Sequence, residues 1–197
     1  MLDNIQIYCD LDGVLVEFEQ SVIDLMNLDL NAESPRITNR QKIILDKLKE
    51  YLDQNNRAYS LNISDLSRNS NTNIRQARDY MYARTADNHE FWADLPWKKD
   101  GQVLWNFIKD LSPQVKILSA PMQGAGCRSG KREWVEKNLG PQYDVILEEN
   151  KWIFAKPNRL LIDDTFSKVA KWRENGGQMV QHITARLTIQ SLKGLVV

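Results

Sequence analysis

Cysteine and histidine are scarce in this chain of 197 residues, with two of each. Two cysteines without metal-type spacing exclude a disulfide framework and suit a reducing cytosol. An excess of one charge is missing too. Lys+Arg and Asp+Glu both number 26, so no global field draws the protein to nucleic acid or to an anionic membrane. No apolar run approaches the ~20 residues that span a bilayer. The amino terminus has no basic segment leading into an apolar one, so no secretory leader is expected, and a cytoplasmic location is the expectation. There is no internal repeat and no extended low-complexity segment. The length suits one full domain, or one domain carrying a large insertion.

What the chain does have is concentrated at residues 5–15, IQIYCDLDGVL. Ile5, Ile7 and Cys9 alternate as in a strand. The run ends in Asp10 and Asp12, with Gly13 next to let the backbone turn away tightly. Two carboxylates at the end of a buried strand are costly unless a cation holds them. Mg²⁺ suits such hard oxygen donors. Asp10 would then be both a metal ligand and a nucleophile aimed at phosphorus. A Ca²⁺ loop also begins Asp-x-Asp, but its glycine stands sixth and a Glu twelfth. Here the glycine stands fourth, so that reading fails.

A second apolar run, LLIDD at 160–164, ends in Asp163 and Asp164. Between the two lies VKILSAP at 115–121, a strand ending in the hydroxyl of Ser119. Residues 144–147 and 179–183 look like two further strands. Helical spacing recurs at Val103, Leu104, Phe107, Ile108 and Leu111, at Trp134, Val135 and Leu139 before Gly140, and at Val169, Ala170 and Trp172. Strands alternating with helices predict a parallel sheet covered on both faces, with catalytic groups at the carboxyl ends of its strands. Residues 16–99 hold no convincing strand. Helical stripes are expected over 17–28, at Ile43, Ile44, Leu48, Tyr51 and Leu52, and at Ile74, Ala77, Tyr80 and Met81. Polar 69–73 reads as a loop, with Thr72 or Asn73 as a helix cap. The expected fold class is α/β: a Rossmann-like parallel sheet flanked by helices, formed by 1–15 and 100–197, with a helical cap inserted at 16–99.

Acid-x-acid, then a hydroxyl, then a lysine, then paired acids is the order of the haloacid-dehalogenase (HAD) superfamily of phosphotransferases, which this sequence resembles. The resemblance is greatest to the 5′(3′)-deoxyribonucleotidase-like group. It rests on DLDGVLVEFE at 10–19, FWADLPW at 91–97, KREWVEKNLG at 131–140 and LLIDD at 160–164. It implies Asp10 as nucleophile, forming an aspartyl-phosphate, and Asp12 as the group that protonates the leaving oxygen and then activates water. It implies Mg²⁺ between the Asp10 carboxylate, the Asp12 backbone carbonyl and Asp164, with Asp163 orienting ligand waters or a lysine. Ser119 would donate to a phosphate oxygen. The loop 121–130, with three glycines, could cradle an anion or merely flex. Lys131, Lys151 and Lys156 all stand where the motif lysine could lie. Lys151 has the spacing of related sequences, and Lys156-Pro157 looks like the Lys-Pro of other branches. Lys131 could instead be a second phosphate contact.

In that group, aromatics of the cap hold the base. The matching positions are Phe18, Phe91 and Trp92, which could equally pack the hinge between cap and core. One departure is visible: the group tends to carry a second hydroxyl where Ala120 stands, so a phosphate or sugar contact is lost. His89 and His182 are not needed by the mechanism. Cys9 reads as a buried filler, and nothing assigns catalysis to Cys127. Arg128, Lys131, Arg132 and Lys137 are interrupted by Glu133 and Glu136 and do not form a nucleic-acid tract. The expected partner is a small phosphorylated substrate, a nucleoside monophosphate, with neither membrane nor nucleic acid. The rival readings are a HAD phosphatase for a sugar phosphate or a polynucleotide end, and a catalytically retired HAD domain that only binds.

Overall fold

In the computed structural model, residues 4–33, 35–67, 74–143 and 145–195 are described. The expected loop at 69–73, with its cap at Thr72 or Asn73, and Asp144 fall outside them. The chain divides into two compact units. A core unit comprises Met1–Phe18, Asp94–Pro121 and Lys131–Val197; a helical unit comprises Glu19–Ala93 and Met122–Gly130.

The core unit is built on five parallel strands: β1 (Gln6–Cys9), β2 (Val115–Ser119), β3 (Val145–Leu147), β4 (Arg159–Asp163) and β5 (Gln178–Gln181), in the order β3-β2-β1-β4-β5. These are the five apolar runs of the sequence. Buried parallel strands lack a solvated face, so they read as continuous hydrophobic stretches. Tyr8, Leu118 and Leu161 point to one face, where Val169 and Trp172 of α8 (Phe166–Glu174) join them. Ile7, Cys9, Ile117, Leu160 and Ile162 alternate to the other face and are all buried. Each such apolar side chain stabilises the fold by about 1.5–3 kcal/mol. The remaining helices include α6 (Gly101–Leu111), α7 (Ala125–Asn138) and α9 (Ala185–Gly194), with a 3₁₀ turn at Lys151–Phe154.

The strand order carries a functional consequence. The chain moves from β1 to β2 and β3 on one side, then returns to add β4 and β5 on the other. Direction reverses between β1 and β4, and such a switch point opens a crevice at the carboxyl ends of the strands. Asp10 follows β1 directly, and Asp163 ends β4.

The helical unit contains α1 (Phe18–Asn31, from residue 19), α2 (Asn39–Gln54), α3 (Ile63–Leu66), α4 (Arg75–Thr85) and α5 (His89–Ala93). A capping box at Thr38 and Gln41 starts α2. Leu45, Leu48 and Leu52 of α2 and Ala77, Tyr80 and Met81 of α4 are buried. Tyr80 Oη donates to Asp29 Oδ2 at 2.8 Å, and Arg84 Nε pairs with the same oxygen at 2.8 Å.

Residues 122–130 differ from their expected place in the core, and helix α7 starts nine residues before Trp134, where its apolar stripe begins. Ala125 N–H donates to Asp87 Oδ1 at 2.9 Å, and Cys127 N–H to the Ala86 carbonyl at 2.9 Å. A Cβ on Gly126 would lie 2.3 Å from the Asp87 carbonyl carbon, and one on Gly130 would lie 2.5 Å from the His89 oxygen. These glycines permit backbone contact with 86–93. The helix terminus that could have cradled an anion is already capped by the Asp87 carboxylate.

Candidate active site

The turn after β1 is held by three N–H groups, of Val14, Leu15 and Val16, all donating to the Leu11 carbonyl at 3.1, 2.8 and 3.0 Å. Gly13 closes it at φ +74°, and a Cβ there would lie 2.1 Å from Asp164 Oδ2. Glycine is thus required twice, for its backbone conformation and to leave room for Asp164.

Asp10 is buried at the end of the central strand. Its Oδ1 accepts the Leu11 N–H at 2.8 Å, and its Oδ2 pairs with Lys151 Nζ at 2.8 Å. Burial pushes this carboxyl up, but Lys151, Lys168 and Lys131 together outweigh it and hold it below its ordinary value. It is therefore ionised. Lys151 also donates to Asp163 Oδ2 at 2.6 Å. Burial disfavours the ammonium, but Asp10 and Asp163 overcome this and raise its pKa.

Asp163 Oδ1 accepts the Thr165 N–H at 2.9 Å, and the Thr165 hydroxyl donates to Asp164 Oδ1 at 3.1 Å. Thr165 precedes α8 as its N-cap, yet its side chain makes no cap bond and holds Asp164 instead. Carboxylate oxygens of Asp10, Asp163 and Asp164 lie within 4.8 Å of one another. Burial and the charges of Asp10 and Asp163 push Asp164 up to about 7.

Asp12 faces a second lysine. Lys131 Nζ, buried, lies 2.6 Å from Asp12 Oδ2, 2.8 Å from Ser119 Oγ and 2.9 Å from the Ala120 carbonyl. The Asp12 side chain keeps 26 % exposure. Burial raises its pKa and the Asp10 charge adds to this, against the opposing pull of Lys131. Because Ser119 Oγ accepts from Lys131, its own proton is left to donate elsewhere.

Asp10, Asp12, Ser119, Lys131, Lys151, Asp163 and Asp164 are thus brought together in the core unit. Among the three lysine candidates, Lys151 reaches Asp10 and the paired acids, Lys131 reaches Asp12, and Lys156 is exposed. Phe18 is half-buried in the core unit. Phe91 and Trp92 belong to the helical unit and meet edge to face at 5.4 Å. Trp92 is only 1 % exposed, with its indole N–H donated to the Thr85 carbonyl at 2.7 Å. It is a packing residue of the helical unit and offers no open face for stacking, contrary to the expectation of a base contact. His182 is buried and bonds Thr188 Oγ1 through Nδ1 at 2.9 Å.

Two contributors were not singled out in the sequence. Thr165 directly follows the paired acids, and a hydroxyl at that N-cap position was the available signal. Lys168, one turn into α8, contributes charge to both Asp10 and Asp163. One turn beyond the second acid of LLIDD was where to look.

No protein-family model matches the sequence, and no curated protein matches it either. Solved structures do match. A hydrolase from Streptococcus pneumoniae TIGR4 aligns with a TM-score of 0.53 at 13% identity, covering 98% of this chain and 100% of its own. A protein assigned as a HAD-hydrolase, YfnB of Bacillus subtilis, crystallised with magnesium, aligns at 0.50 with 11% identity, covering 98% and 99%. At such identities the likeness bears on architecture alone. Five parallel strands flanked by helices, with the first strand central, give this chain the Rossmann-like fold of the HAD hydrolases.

Proposed function

We propose that this protein is a Mg²⁺-dependent phosphomonoesterase that works through a phosphorylated Asp10 and acts on a nucleoside monophosphate. The observation that carries the reading is the crowding of acids at the strand ends: carboxylate oxygens of Asp10, Asp163 and Asp164 lie within 4.8 Å of one another, and Lys151 pairs directly with Asp10 and Asp163. Burial first, and then the charges of Asp10 and Asp163, raise the pKa of Asp164.

An all-oxygen donor set of this kind fits Mg²⁺. Asp10 and Asp164 would hold the ion, together with the Asp12 backbone carbonyl, while Asp163 orients Lys151. Bound there, the ion would neutralise phosphate charge next to the nucleophile. The remaining work belongs to side chains. Asp10 attacks phosphorus as the bond to the leaving oxygen breaks, and Asp12 gives that oxygen its proton. A water then attacks the acyl-phosphate and passes its proton to Asp12, and the Asp10–phosphorus bond breaks to release phosphate. Ser119 donates to a phosphate oxygen, and Lys151 keeps Asp10 ionised and oriented.

The nucleotide half rests on the resemblance at residues 10–19 and 91–97 and on Phe18, since Trp92 is sealed in the helical unit. A base has a face for stacking that is worth about 1–3 kcal/mol. A panel of nucleoside monophosphates, sugar phosphates and p-nitrophenyl phosphate, assayed with Mg²⁺ and with EDTA, tests both halves. Hydrolysis should vanish in EDTA, and Phe18→Ala should raise KM roughly tenfold for the nucleotide while leaving the nitrophenyl ester almost unchanged. Full activity in EDTA contradicts the metal assignment. Equal effects of Phe18→Ala on both esters contradict the base contact.

A further inference from the structure

We propose that Lys131 is a positioning residue for the proton relay, tethering Asp12 and Ser119 in fixed register, and is not a direct ligand of the substrate phosphate. The inference rests on the reading of Asp12 as acid and base given above. An ammonium has three N–H donors. Those of Lys131 are directed at Asp12 Oδ2, Ser119 Oγ and the Ala120 carbonyl, at 2.6, 2.8 and 2.9 Å. Direct phosphate contact would require giving up one of these bonds in a buried place, where a polar group left without its partner is costly.

The tether also distinguishes the two Asp12 oxygens. Oδ2 is committed to Lys131, whereas Oδ1 is buried and without a hydrogen-bond partner among the described residues. Lys131 therefore fixes the Asp12 carboxylate through Oδ2. The Ala120 side chain offers no hydroxyl, and its backbone carbonyl is what Lys131 uses. The same lysine joins the residue that moves the proton to the residue that contacts phosphate. Substrate seated against Ser119 would then find Asp12 already aligned.

The roles separate by leaving group. An alkyl phosphate needs its departing oxygen protonated, whereas p-nitrophenol leaves with little help. In the full-length protein, Lys131→Met should lower kcat/KM for an alkyl phosphate at least about hundredfold, the usual scale of a lost general acid. For the nitrophenyl ester the loss in kcat/KM should stay under about tenfold, with kcat and KM falling together because breakdown of the phosphorylated Asp10 still needs Asp12. Equal losses on both esters, arising from a raised KM, would make Lys131 a phosphate ligand and overturn the proposal. So would no loss on either. Asp12→Asn, run in parallel, must show the same leaving-group dependence. If it does not, the assignment of Asp12 fails, and the inference with it. Should the methionine variant not fold, Lys131→Arg carries the test, because a guanidinium keeps the buried charge but cannot place donors on the same three oxygens.

Discussion

Both units bury acids, and they treat them in opposite ways. Among the described residues of the helical unit, each buried acid has its own arginine. Asp29 pairs with Arg84 and accepts from Tyr80, and Asp65 receives both Nη atoms of Arg57 at 3.0 and 3.1 Å. In the core unit, carboxylate oxygens of Asp10, Asp163 and Asp164 crowd within 4.8 Å, and Lys151 pairs with the first two only. Matched charge is what a structural acid needs, since an unpaired buried charge costs several kcal/mol. A cluster that leaves charge unmatched makes sense where a cation or a reaction supplies the balance. Charge accounting, rather than burial, separates scaffold from site.

The largest test of that contrast is Asp10→Asn. The amide cannot form an acyl-phosphate, so turnover of a phosphomonoester in steady-state assays should fall below about one percent of wild type, the low end of the effect of losing a catalytic group. Circular dichroism should show the fold retained. Higher residual activity would mean that the crowded acids are not the reactive centre.

Next in size is Arg84→Met, on the matched side. It strands Asp29 with only the Tyr80 hydroxyl, so urea unfolding should show a loss of about 3–5 kcal/mol. A loss below about 1 kcal/mol would erase the distinction between the two kinds of buried acid.

Smaller again is the pH response of metal-free protein. Asp164 is raised to about 7, so the folded state holds its proton where the unfolded chain, with an ordinary carboxyl near about 4, has released it. The contribution is therefore fully present below about pH 4 and is lost as pH rises through about 7. In EDTA, Asp164→Asn should melt progressively above wild type across that window. Added Mg²⁺ should raise the wild-type Tm more at about pH 8 than at about pH 5, because the ion competes with the proton. A pH-independent difference between the two proteins would mean that Asp164 carries no excess charge.

The contrast also marks what the sequence could reveal. The strands and their terminal acids were legible because a buried parallel strand is a short apolar run, and an acid at its end breaks the pattern visibly. The start of α7 was not, because Gly126 and Gly130 pack by absence and leave no apolar period. The choice among Lys131, Lys151 and Lys156 was legible only in part: the spacing of related sequences favoured Lys151, and the fold brings Lys151 to Asp10 while Lys131 reaches Asp12. Trp92 read as one of the base-holding aromatics, but the bond from its indole N–H to the Thr85 carbonyl shows that its ring is used inside the helical unit. The pairing of Asp29 with Arg84 spans two helices and has no local signature.

The central claim, that the unmatched acids form a phosphoryl-transfer centre with Asp10 as nucleophile, is tested most directly by trapping the intermediate. Asp12→Asn should still be phosphorylated by an ester with a good leaving group but hydrolyse the product slowly, because the group that activates water is gone. After mixing with Mg²⁺ and p-nitrophenyl phosphate and quenching in acid, peptide mass spectrometry should find covalent phosphate on Asp10. Phosphate on another residue, or none while the wild-type protein hydrolyses the same ester, would contradict the account.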